Sequence, residues 1–238
     1  MERKMSSMEP DAIGVVQKVA QYAQEILGEE GFRYTSAIVA SCRMLAVQQT
    51  DYQLESEHEI DIADNNDGES DKGKDDEAID MDALVIAGYL HDISTVAHGY
   101  NDHQRESARM AVQFLQQQQF PPERIQRVEQ AIVHHETSAS SEQHVPVEAR
   151  ILYDADRLGR LSGLSVVTSL IEFGARYPDR PMTSEMLATI LHHIEERFID
   201  QYQSLYTDAA REMAREKFGK TIDFLDGVIE HLSDATPV

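Results

Sequence analysis

The run ALVIAGYL at residues 83–90 is almost continuously apolar, and it ends on His91 and Asp92. A helix that is apolar all round has no face to give to water and is buried. The run therefore carries its own end, and the histidine–aspartate pair behind it, towards the core. A buried carboxylate without a partner costs several kcal/mol. A structural histidine needs no carboxylate beside it. A divalent cation needs both, and offsets the cost of burying them.

The rest of the chain has to supply a core for that run. Segment 11–27 repeats apolar residues at helical spacing: Ile13, Val16, Val19, Ala20, Ala23, Ile26 and Leu27 form one stripe, which Gly28 and Gly31 end. The spacing predicts further helices at 34–49, 81–92, 102–119, 122–136, 146–161, 183–205 and 207–233, with Asp80 or Asp82 capping the third and Pro122 opening the fifth. No segment alternates as a strand does. The expected class is an all-α bundle, one domain over residues 11–233 with flexible termini at 1–10 and 234–238.

The chain of 238 residues carries a net charge of −22. Residues 51–82 alone hold 14 acidic and 2 basic residues, a net of −12, which leaves −10 for the remainder. The stretch 53–80 is dense in like charge and poor in aromatics, so it is expected to be a disordered acidic insert between two helices. The charge argues against phosphate-backbone binding of nucleic acid. No run approaches the ~18–20 apolar residues of a membrane span. The single cysteine, Cys42, excludes a disulfide within the chain and reads as a buried packing residue. A cytoplasmic protein is expected. Nucleophile-elbow, P-loop and dinucleotide-binding motifs are absent.

Histidines and aspartates recur at or near predicted helix ends: His91–Asp92, His103, His134–His135, Asp154 and Asp156. A bundle builds a metal site this way, with one or two ligands from each helix projecting inward. Mixed imidazole and carboxylate ligands suit Mn²⁺, Fe²⁺, Zn²⁺ or Ni²⁺ and not Ca²⁺, which takes oxygen alone. Neighbours on a helix face apart, so at least one of His134 and His135 is expected to be solvated. Against these stand plainer readings: a helix-end histidine at His91, a surface helix start at His103, and an ion pair between Asp156 and Arg157 or Arg160. The stripe Ile190, Leu191, Ile194, Phe198 reads as core.

The elements LHDI at 90–93, HQRESARMA at 103–111, AIVHHE at 131–136 and EARILYDADRL at 148–158 resemble the HD-domain metal-dependent phosphohydrolases, over roughly residues 12–233. The resemblance implies an HD-domain helical bundle with a divalent metal (Mn, Fe, Zn, Ni or Mg). It implies His91 and Asp92 as paired ligands, with Asp92 also catalytic, and Asp156 as the distal ligand. His103 matches a histidine that binds a second metal or substrate in some branches, and His135 matches the AIxxH histidine of those branches, with His134 as the alternative. Asp154 is expected to orient a ligand, and Arg157 to meet a phosphate. The implied substrate is a small phosphorylated molecule, a nucleotide among the candidates.

One position departs from the family pattern. Its first histidine belongs on the helix before HD, and here that place reads YTSAI, so Tyr34 stands where the histidine is expected. A phenol with a pKa near 10 is a poor ligand for these ions. His58, in the acidic insert, is a poor substitute. Two expectations follow: a phosphohydrolase with an altered ligand set, or an HD fold that has become a binding or regulatory module. A third reading gives the acidic insert a role in partner contact.

Overall fold

The structure is a computed structural model that describes residues 10–63, 78–99, 102–138, 144–181 and 183–234. Every regular element among them is a helix: α1 (Pro10–Ala63), α2 (Met81–Leu90), α3 (Thr95–His98), α4 (His103–Gln117), α5 (Pro122–His134), α6 (Val147–Arg160), α7 (Gly163–Arg176), α8 (Ser184–Gln203) and α9 (Asp208–Asp234). The all-α expectation holds. The chain divides into two compact units, Met1–Ala155 and Asp156–Val238, and the boundary falls within α6.

In the first unit, the helices expected at 11–27 and 34–49 join into α1 across a break at Gly28, whose φ of 70° suits a residue without Cβ. Val16, Val19 and Ala23 before the break are buried, as are Ile38, Val39, Cys42, Leu45 and Ala46 after it. Tyr22 stacks on Phe114 of α4 with ring centroids 4.1 Å apart. α1 continues to Ala63, into the acidic segment, where the glutamates, Leu54 and Ala63 are good helix formers. The rest of that segment, residues 64–77, lies outside the described residues.

α2 is the centre of this unit. Asp82 to Gly88 and Leu90 are all buried, and the helix packs between α1 and α5. Asp80 caps it: its side chain accepts hydrogen bonds of 3.1 Å from the backbone N–H groups of Asp82 and Ala83. Arg124 of α5 pairs with Asp80 at 3.1 Å and Asp82 at 3.0 Å. Glu148 of α6, only 1% exposed, takes the Asp80 N–H at 2.8 Å and Arg127 of α5 at 2.7 Å. The start of α2 is thus tied to α5 and α6, with its buried carboxylates paired as burial demands.

Near the other end of α2, Gly88 lies against α1 so closely that a Cβ there would sit 2.9 Å from Val39 Cγ2. α4 buries Ser107, Ala108, Ala111 and Leu115, and α5 buries Ile125, Val128, Ala131 and Ile132; the two pack on each other.

In the second unit α8 and α7 each pack on α9. Leu191, Ile194 and Phe198 are buried as expected, and Ile190 is half-buried. α7 is a helix the apolar spacing did not predict. Leu164, Val167 and Ile171 are exposed on it and only Val166 is buried, so no single inward stripe marks it. No helix of the described residues is long and apolar enough to cross a membrane.

The α1–α2 contact yields a prediction. Gly88→Ala should destabilise the protein by about 1–3 kcal/mol, the range for overpacking a tight core. Urea unfolding measures it; an unchanged midpoint would show that α1 gives way freely.

Candidate metal centre

His91 and His135 are set by the same local device. Each is the residue that closes a helix, α2 and α5 respectively, and each keeps right-handed helical dihedrals. Each folds its ring back so that Nδ1 meets a carbonyl three residues earlier: Gly88 O at 2.8 Å and Ile132 O at 2.6 Å. The last carbonyls of a helix lack intrahelical donors, and an imidazole N–H satisfies one. A carbonyl can only accept, so Nδ1 of the neutral ring holds the proton and Nε2 keeps its lone pair. Both rings are buried, at 1% and 3% exposure.

His103 opens α4 and is also 3% exposed. The His135 ring meets those of His91 and His103 edge-on, with centroids 5.1 and 5.6 Å apart. Asp92 lies among them. Its Oδ2 is 3.5 Å from His91 Nε2 and its Oδ1 is 3.2 Å from His103 Nε2. These approaches are close enough for attraction but lack hydrogen-bond alignment: His91 Nε2 and Asp92 Oδ1 are both buried without a hydrogen bond.

Donor atoms within 4.8 Å of one another come in two sets among the described residues: His91, Asp92 and His135, and His103, His135 and Glu136. A buried polar atom left without a hydrogen bond costs about 1–3 kcal/mol. Two such atoms on adjacent residues, both electron-pair donors, fit a cation and do not fit a packing role. The donor chemistry, imidazole with carboxylate, fits a transition-series ion.

The structure therefore brings together four of the residues singled out by sequence: His91, Asp92, His103 and His135. His134 is half-buried and in neither set, so His135 is the inward member of the pair. Glu136 is the residue that sequence reasoning passed over. It is the last residue of AIVHHE, Gln104 donates a hydrogen bond to it, and its Oε1 is 3.8 Å from His103 Nε2.

Asp154 is fully buried and belongs to neither set. Asp156, the first residue of the second unit, is also in neither set. Its carboxylate takes Arg157 at 2.9 Å and Arg160 at 3.0 Å, so the ion pair weighed as the plainer reading is present and Arg157 is engaged by it. Tyr34 is 44% exposed, whereas Thr35 beside it is 3% exposed. At this turn of α1 the residue facing the core is Thr35.

Three comparisons bear on this arrangement. The family model described as HD domain matches residues 18–161, more than half of the chain. An HD-superfamily hydrolase from Bacillus thuringiensis has a similar structure, with a TM-score of 0.63 and 15% identity over 94% of this chain and 100% of that one. Bacillus subtilis YpgQ in complex with ADP has a TM-score of 0.60 and 17% identity over 93% of this chain and 96% of that one. By sequence alone, no curated protein matches. With the histidine–aspartate doublet in its matched span and the fold of these relatives, the chain belongs to the HD-domain family.

Proposed function

We propose that the protein is a metal-dependent phosphohydrolase acting on a phosphate ester or anhydride of a small molecule. The observation that carries this reading is the pair of buried electron-pair donors without hydrogen bonds, His91 Nε2 and Asp92 Oδ1, within a donor set that His135 completes. When bound, a divalent metal supplies Lewis acidity towards water and towards a phosphoryl oxygen.

The chain's own residues do the rest. His91 and His135 arrive with their Nε2 lone pairs oriented by the Nδ1–carbonyl bonds, so little ordering is left for the moment of binding. Asp92 offers one oxygen towards His91 and the other towards His103. One carboxylate thereby completes the donor set and lines up the third imidazole. His103 and Glu136 form a second group with His135, which offers donors to a metal or to a polar substrate. The motif DADRL adds Asp156 as a distal ligand and Arg157 as a phosphate contact, both proposed from the resemblance. A nucleotide is the substrate class we favour, since a fold relative, Bacillus subtilis YpgQ, is seen with ADP.

A second reading has its own observation. α1 contributes no residue to either donor set among the described residues, and Tyr34 stands where the resemblance places the family's first histidine. Such a site can hold a metal or ligand without turnover. Metal content after purification, followed by a screen of nucleotides and phosphodiesters with Mn²⁺, separates the two: bound metal with no hydrolysis favours the binding module.

Asp92→Ala should remove bound metal and lower hydrolysis by more than about a hundredfold, beyond the effect of altering outer-shell partners alone. Unchanged turnover in that variant contradicts the proposal. The histidine pair gives a sharper contrast. His135→Ala should weaken metal binding by a similar factor, while His134→Ala should leave it within about twofold, as for a position outside the site. Isothermal titration with Mn²⁺ reads both, and equal losses would place the centre elsewhere.

A further inference from the structure

We infer that Ser94 and Ser107 are positioning residues for the metal centre: a chain of two buried hydroxyls sets Asp92 and His103 against each other. The inference rests on the metal-dependent reading and adds to it a pair of residues that neither bind the cation nor touch substrate.

Both serines are fully buried. Ser94 lies in the turn two residues after Asp92, and Ser107 lies one helical turn into α4 from His103. Ser94 N–H donates to Ser107 Oγ at 3.1 Å. Ser107 Oγ donates to Ser94 Oγ at 2.9 Å. Ser94 Oγ donates to the backbone carbonyl of His103 at 3.1 Å. The direction of each bond is forced. A carbonyl only accepts, so the Ser94 hydroxyl proton goes to His103 O; the Ser107 proton must then go to Ser94 Oγ.

Every donor of the chain is thus used, and it joins the backbone on both sides of the site. The same turn is tied down at Asp92, whose carbonyl accepts from Thr95 N–H at 3.0 Å and from Thr95 Oγ1 at 2.7 Å. Elsewhere in the first turn of α4, Gln104 donates a hydrogen bond to Glu136. The N-cap residue of α4, Asp102, has a φ of 54° and makes no side-chain capping bond. The 3.2 Å approach of His103 Nε2 to Asp92 Oδ1 thus lies beside a backbone contact between Ser94 and His103 that the two hydroxyls hold. Buried hydroxyls that only filled space would be exchangeable for alanine in a core this tight. Here each is both donor and acceptor.

The test uses the full chain and Mn²⁺ as the probe. Wild type, Ser94→Ala, Ser107→Ala and the double variant are titrated with Mn²⁺, and the visible absorption of bound Co²⁺ is recorded. Thermal unfolding without metal is followed in parallel. Each single variant should bind Mn²⁺ about ten- to a hundredfold more weakly, the usual effect of losing an outer-shell partner. The Co²⁺ bands should shift in both, and the double variant should bind no worse than the weaker single, because the hydroxyls act as one chain. Ser107→Cys, similar in shape with a weak S–H donor, should fall between wild type and alanine and carries the comparison if an alanine variant does not fold. Lower melting temperatures with unchanged Mn²⁺ affinity and unchanged Co²⁺ bands would make the serines structural only and overturn the inference. A wild type that binds no Mn²⁺ overturns the metal reading, and this inference with it.

Discussion

Two imidazole-to-carbonyl hydrogen bonds govern the site. His91 Nδ1 to Gly88 O and His135 Nδ1 to Ile132 O each sit at a helix end whose histidine is buried, and each turn a lone pair inward. A helix end in the core has carbonyls that water cannot reach, and leaving them unsatisfied is costly. A histidine at that position meets the need with one nitrogen and leaves the other for chemistry. The same requirement met at the ends of α2 and α5 therefore also orients the two candidate ligands. Neither bond would do this at the surface, where water would compete for the carbonyl.

The frame around these bonds is rigid for identifiable reasons. At its start α2 is held by Asp80, Asp82 and Glu148 through Arg124 and Arg127, a set of paired charges on α5 and α6. At its end Gly88 presses on Val39 of α1 and lends its carbonyl to His91. Gly88 thus has two duties, close packing on α1 and orientation of the His91 ring. Since α5 both packs on α2 and carries His135, the distance between the two histidines is set by core packing and not by a loop.

Much of this was legible in the sequence. The apolar run 83–90 announced a buried helix, and burial made the histidine–aspartate doublet behind it improbable without a partner. The helices at 122–136 and 146–161 were readable from their caps and spacing. α7 was not, because its exposed Leu164, Val167 and Ile171 face away from the core that periodicity assumes. The break at Gly28 was read as an end because glycine permits both a stop and a kink. At the site, His91, Asp92, His103 and His135 stood out by type. Glu136 did not: a carboxylate after a histidine pair is common on any helix end, and only its nearness to His103 gives it meaning. That Thr35 and not Tyr34 is the buried one of the two depends on packing that local spacing leaves open.

The central claim is that His91, Asp92 and His135 share one cation. Crystals grown with Mn²⁺, with diffraction collected at the manganese absorption edge, test it most directly. The account predicts an anomalous peak about 2.0–2.3 Å from His91 Nε2, an Asp92 oxygen and His135 Nε2, the range for imidazole and carboxylate ligands. A peak at a different cluster, or no peak beside the doublet in protein that binds Mn²⁺ in solution, would contradict it.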